Sequence, residues 1–183
     1  MRKVFVAICF AALLGSARSQ NFVGVQWQVV EPTENFRTST NTGFGVKVRY
    51  LHFMSRQLAI SGTAGHVQFD SRTSAQPFND YKVVIIPVHL GATFLLSKGV
   101  VSPHIGIDLG MDYLRVRGVP AGSLLPIFVD RSELKFGFSP EIGVGIHIAG
   151  PVGILLTGSY NVTYTPGVPS RYFGFGAGLA VGY

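Results

Sequence analysis

The final stretch of the chain, Tyr172–Tyr183, reads YFGFGAGLAVGY and limits the possible folds more than any other. Phe173, Phe175, Ala177, Leu179, Val181 and Tyr183 share one parity; Gly174, Gly176, Gly178, Ala180 and Gly182 share the other. Period-two alternation marks a strand whose two faces meet different surroundings. Neither face suits water, because a half-buried soluble strand carries Lys, Glu, Thr or Ser on its wet side. Apolar bulk on one face and almost no side chain on the other call for a surrounding other than water.

The composition agrees. Charged residues make up 13% of the chain, aromatic residues 12%, and 23 of 183 residues are Gly, a mixture that suits solvation partly by lipid. The length suits one domain. The opening MRKVFVAICFAALLGSARSQ has Arg2 and Lys3, an apolar run from Val4 to Leu14, and small residues at Ala17 and Ser19. This is the pattern of a secretory signal peptide, residues 1–19, cleaved before Gln20 or alternatively after Ala17. Residues 20–183 then form the mature domain. Cys9 lies in the apolar run, so the mature chain has no cysteine, which excludes disulfides, thiol catalysis and cysteine-based metal sites. Arg2, Lys3 and Arg18 contribute to the formal charge of +6, leaving +3 without them. No basic run of the kind that tracks nucleic acid is present.

No later segment reaches the roughly 18 apolar residues of a membrane helix, so a mature chain that enters lipid must do so as a closed barrel. Seven further alternating segments supply its strands. They run from Phe22 to Val30, Gly43 to Phe53, Leu58 to Phe69, Tyr81 to Leu96, Val101 to Tyr113, Lys135 to Ile148 and Val152 to Tyr164. The third is blurred by Gly62 and Gly65, where a bulge would slip its parity, and Pro87 predicts an irregularity in the fourth. Tight turns fall at Met54 to Arg56, Ser97 to Gly99 and Ala149 to Pro151. Longer connections are EPTENFRTSTNT, DSRTSAQPFND, Leu114 to Leu134 and TPGVPSR. Long and short connections alternate, as in outer-membrane barrels with external loops and periplasmic turns. The expected fold is therefore all-β, an eight-stranded antiparallel up-and-down transmembrane β-barrel with both termini at the turn side.

The phrases IPVHLGATFLL, PHIGIDLGMDY and FGFSPEIGVGIHI, with the aromatic C-terminal strand, resemble the small outer-membrane protein β-barrel domain family that includes the OmpA and OmpX barrels. The resemblance covers about the whole mature chain and concerns fold rather than activity. It implies the cell outer membrane of a Gram-negative type cell, with outer-membrane lipid and lipopolysaccharide as surroundings. It also implies insertion by the barrel-assembly machinery, with Tyr183 as part of the assembly signal.

An eight-stranded barrel is just wide enough for side chains to fill it. With the bulky parity in lipid, the lumen receives Gln26, Gln28, Lys47, Arg49, His89, His104, Asp108, Asp112, Glu141, His147, Thr157, Ser159 and Asn161. Lys47, Arg49, Asp108, Asp112 and Glu141 are the candidate polar network, with Lys47 and Arg49 reaching Glu141 across a space left by the Gly face of the last strand. Trp27, Tyr50, Phe94, Tyr113, Phe136, Tyr160, Tyr164 and Tyr183 have the parity of interfacial girdles. A structural or surface-interaction role with a plugged lumen follows. The alternative is a narrow channel for small solutes or ions; a lipid-modifying enzyme and a soluble ligand-binding barrel come after it. His104 and His147 lack a compact ligand motif, so no metal is expected, and no cofactor. Ser159 and Glu141 stand at one height but His147 well below, so no catalytic triad is expected. The apolar stretch Ser123 to Val129 either extends a strand or packs on the rim, or else contacts a partner.

Overall fold

A computed structural model describes residues 21–70, 78–120, 129–164 and 169–182. The expected leader, Tyr183 and residues 123–128 of the apolar stretch lie outside them. Eight strands follow one another: β1 (Asn21–Pro32), β2 (Gly43–Phe53), β3 (Leu58–Asp70), β4 (Phe78–Leu95), β5 (Val101–Pro120), β6 (Val129–Ala149), β7 (Val152–Tyr164) and β8 (Ser170–Gly182). Each is antiparallel to its neighbour, and β1 meets β8 from Phe22↔Gly182 to Pro32↔Tyr172, so the sheet closes into a barrel. Closure gives every strand two partners and satisfies its backbone without water. Asn21 and Gly182 lie at the end of the barrel that carries the short turns.

Parity sorts the side chains. On β5, Ile105, Ile107, Leu109, Met111 and Tyr113 point outward and are exposed, a run suited to the 9–11 residues that a tilted strand needs to cross a bilayer. The apolar belt continues around the barrel, with Trp27 63% and Leu90 72% exposed. Tyr113, Phe136, Tyr160 and Tyr164 lie toward the loop end, where Phe136 stacks with Tyr164 and Tyr160 with Phe173. Tyr50 and Phe94 lie toward the turn end, whereas Trp27 sits in mid-strand.

The structure departs from the sequence expectation in three places. Residues 114–134 are not one long loop: β5 and β6 continue in register from Leu114↔Glu133 to Gly118↔Val129. Alternation persists there, but beyond the apolar belt the outward parity turns charged, with Arg115, Arg117 and Asp130, so the strand looks like a polar loop. β4 likewise begins at Phe78, opposite Pro120. Secondly, β3 has no bulge; one register runs along β2 from Phe44↔Gln68 to Phe53↔Ala59. Its pattern is blurred because its inward residues change from Ser61 and Thr63 to Val67 and Phe69. Register shifts occur instead at Asn79/Lys82 and His147/Ala149. At Pro87 the ladder to β3 lapses between Ala64↔Val88 and Val67↔Ile85, consistent with the donor that proline lacks.

Thirdly, the first long connection contains a short helix, α1 (Glu34–Ser39), and closes over the loop end. Phe36 stacks edge-on against Phe69 at 4.9 Å, and Phe69 against Tyr172 at 5.3 Å. Phe69 and Tyr172, with Val30, Val67, Val83 and Ile85, form a buried apolar cap inside the barrel, against which the partly buried Phe36, Leu114 and Val116 pack. Backbone bonds anchor the connection at Thr33 to Arg171 and at Asn41 to Asp70, both 2.9 Å. Sequence parity reveals the inward positions of these residues but not that a polar-looking loop lends Phe36 to them.

The turn between β6 and β7 places Gly150 at φ +55°, the left-handed region that glycine enters without strain. Gly150→Ala is expected to destabilise the barrel by about 1 kcal/mol. Its urea unfolding midpoint in lipid vesicles is the measurement, and an unchanged midpoint would count against strain at this turn.

Candidate functional site

The inward parity of four strands converges in mid-lumen. Residues two apart stand roughly 6.6 Å apart along a strand, so Lys47 and Arg49 form successive rungs on β2, and Ser61 and Thr63 on β3. Lys47 Nζ lies 2.6 Å from Glu141 Oε2 of β6. Arg49 donates from Nη1 to Glu141 Oε1 and from Nη2 to Asp108 Oδ2, the latter at 2.7 Å. The hydroxyls of Ser61 and Thr63 donate to the same Asp108 carboxylate at 2.6 and 3.2 Å. Arg49 is 1% exposed and Asp108 2%. Buried charges persist only when paired and hydrogen-bonded, and here two cations face two anions.

Asp112, the fifth expected member of the network, belongs to a separate cluster nearer the loop end. His89 Nε2 lies 2.8 Å from its Oδ1, and the Thr163 hydroxyl donates to its Oδ2 at 2.6 Å. On the far wall, Ser139 Oγ donates to Asn161 Oδ1 at 2.8 Å, and Asn161 Nδ2 to Ser159 Oγ at 3.0 Å. Gln26 Nε2 donates to Thr157 Oγ1 at 3.2 Å. The space left among Gln28, Lys47, His89, Asp108, Asn161 and Tyr172 is about 10 Å³, room for about one water at most.

The Gly face of β8 does not provide the gap in which the charges meet. A Cβ at Gly174 would come 2.8 Å from Ser159 Oγ, and one at Gly176 2.9 Å from Thr157 Oγ1, so neighbouring polar side chains already occupy that wall. Gly91 on β4 makes room for the ions, since a Cβ there would run into the Asp108 carboxylate and the Ile107 carbonyl.

Among the described residues, His104 and His147 stand apart, and His147 also stands apart from Ser159 and Glu141. His104 Nε2 is 3.7 Å from Glu141 Oε1, while His147 is exposed at the turn end. Among the described residues no group of three or more His, Cys, Asp or Glu is placed to hold a metal. Ser159 and Glu141 are cross-strand partners, but His147 pairs with Gly153, six residues further along β6. Ser159 accepts a hydrogen bond from Asn161 rather than facing a base.

Beyond the apolar belt, the β5–β6 arm carries charges that the sequence reading assigned to a loop. Arg115 grips Asp130 through Nε at 2.8 Å and Nη2 at 2.5 Å. That hydrogen bonding, with the charges of Arg115 and Arg117, holds the Asp130 carboxyl below the usual range despite partial desolvation. A hydrogen bond from Lys135 and the nearby Arg131 act likewise on Glu133.

No family model matches the sequence, and no curated protein does. Solved structures share the fold. Neisserial surface protein A aligns with a TM-score of 0.63 and 16% identity over 90% of this chain and 98% of that one. The outer membrane protein OprG of Pseudomonas aeruginosa aligns with 0.59 and 12%, over 91% and 97%. Ail, the attachment invasion locus protein of Yersinia pestis, aligns with 0.58 and 13%, over 89% and 99%. These are small eight-stranded outer-membrane barrels, and this chain has their fold.

Proposed function

We propose that the chain is an integral outer-membrane barrel of a Gram-negative type cell whose lumen is sealed, and that it acts structurally or through its external loops. The observation that carries this is the mid-lumen packing: four neutralising charges drawn from β2, β5 and β6, with about 10 Å³ left beside them. The apolar cap of Phe36, Phe69 and Tyr172 adds a second barrier at the loop end. The exposed apolar belt supports residence in lipid, and the likeness to outer-membrane barrels supports the outer membrane, with lipid and lipopolysaccharide as partners. The barrel-assembly machinery would read Tyr183 as part of its assembly signal. On this reading the protein catalyses nothing; its polar side chains hold one another, and recognition falls to the loops.

The purified protein in planar bilayers should show no steady conductance. A steady, large single-channel current would contradict the sealed lumen and favour the narrow-channel alternative. Heat-modifiable gel migration together with recovery in the outer-membrane fraction tests the location, and a soluble periplasmic pool would overturn it.

A further inference from the structure

On the turn side of the ion cluster the lumen widens into a chamber of about 210 Å³, which opens into a rim depression of about 420 Å³ that shares Phe22, Phe53, Leu95, Gly99 and Ser102 with it. The two spaces differ in kind. Phe22, Leu51, Ile146 and Leu155 give the chamber a chiefly apolar wall, and small residues create its room: a Cβ added at Gly145 would find nothing nearer than Ser102 O at 3.7 Å. The depression carries charge. Arg56 from the β2–β3 turn and Lys98 from the β4–β5 turn both line it, and both are exposed. A backbone bond of 2.8 Å from Leu95 N to Gln57 O ties the two turns together. Lys98 Nζ lies 5.2 Å from the centroid of the Phe53 ring, and Phe53 lines both spaces, so this cation stands at their junction. Three further titratable groups line the chamber. Arg49 is committed to Glu141 and Asp108, His104 is buried 3.7 Å from Glu141, and His147 is exposed. Among the described residues no Asp or Glu lines either space.

We propose that the chamber and its mouth together bind a single-chain anionic amphiphile of the fatty-acid class, with the chain in the chamber and the carboxylate at the mouth beside Arg56 and Lys98. The chain is single and short, because the chamber holds about seven groups of methylene or water size at roughly 30 Å³ each. The head is anionic because the mouth presents two cations and no carboxylate. The planar fork of an arginine also matches a carboxylate through two parallel N–H donors. The head stays in the mouth, where water reaches it, so no ion has to be buried. Nothing deeper draws it inward, because Lys47, Arg49, Asp108 and Glu141 balance one another. His104 and His147 add no negative charge in either protonation state. The site is reached from the turn side without crossing the sealed section, so it does not depend on whether the lumen conducts.

The experiment uses the protein in phosphatidylcholine nanodiscs with labelled Leu and Ile methyl groups, titrated with octanoate, 1-octanol and octylammonium. Octanoate should produce saturable shifts at Leu51, Ile146 and Leu155, whereas Leu90 and Ile105 on the lipid face respond only by non-saturable partitioning. Octanol should bind about fivefold more weakly, the worth of two exposed ion pairs, and octylammonium more weakly still. Replacing both mouth cations, Arg56→Gln with Lys98→Gln, should bring octanoate down to the octanol level and leave octanol unchanged. Salt of about 1 M should likewise weaken octanoate but not octanol. Gly145→Leu should fill the chamber and abolish the saturable response to both. If Gly145→Leu does not fold, the comparison of octanoate with octanol in the native protein and in the double variant still decides. Absence of saturable shifts, octanol or octylammonium binding as tightly as octanoate, or an unchanged octanoate affinity in the double variant would each overturn the proposal.

Discussion

Glu141→Gln is expected to destabilise the barrel by about 3–5 kcal/mol, the largest effect of any single polar substitution in the lumen. Glu141 accepts from both Lys47 and Arg49, whereas Asp108 is hydrogen-bonded to Arg49 alone of the two cations, reaches Lys47 only by its longer-range charge, and is further supported by Ser61 and Thr63. Removing the Glu141 charge therefore leaves the buried Lys47 ammonium without its paired carboxylate and the cluster with one cation in excess. Glutamine keeps the shape, so the loss reports charge rather than a cavity. Adding Lys47→Met should recover much of it, because the second substitution removes the orphaned cation. The coupling between the two sites should be on the order of 0.5–3 kcal/mol. Urea unfolding in lipid vesicles, followed by Trp27 fluorescence and by gel mobility, measures both variants. A loss below about 1 kcal/mol for Glu141→Gln alone would show that the cluster is not a buried neutral set.

Phe69→Ala should cost a similar amount, about 3–5 kcal/mol, by a different mechanism. Phe69 is fully buried and is the shared partner of Phe36 from α1 and Tyr172 from β8. Truncation removes both ring contacts and leaves a void that Val30, Val67 and Ile85 fill only partly. The first connection would then lose its main apolar anchor, so amide exchange should rise across residues 33–42 while the strands around Lys47 and Asp108 stay protected. Bilayer recordings of this variant separate the two barriers. With the ion cluster intact beneath the cap, Phe69→Ala should remain non-conducting, and a conducting Phe69→Ala would mean that the cap alone seals the barrel.

Much of the fold is legible because one rule, alternation, acts on every strand. Parity alone puts Lys47, Arg49, Asp108 and Glu141 on the inward face, and the even strand number with alternating connection lengths suffices for a closed barrel. Parity does not carry height: four residues along β5, roughly 13 Å, separate Asp112 from Asp108, and the stagger between strands joins it to His89 and Thr163. Alternation also fails as a guide where the surroundings change along one strand. Arg115 and Arg117 continue the outward face of β5 into water, and Val67 and Phe69 continue the inward face of β3 into an apolar cap. Both runs look irregular in sequence although the backbone is regular. Phe36 is the extreme case, a lone apolar residue in a polar connection whose burial depends wholly on where the chain returns.

The positions of the ionic side chains along the chain bear on how the barrel comes together. The cations Lys47 and Arg49 belong to the first four strands, while Asp108, Asp112 and Glu141 belong to the last four. Before closure the two halves therefore present opposite charge on the surfaces destined to face each other. No single hairpin satisfies the cluster, because Lys47 and Glu141 are 94 residues apart and Arg49 and Asp108 are 59. Its stabilisation arrives only when the halves meet in register, so it contributes late and as a unit. A half-barrel left open keeps its charges without a partner, which disfavours stopping short of the complete ring.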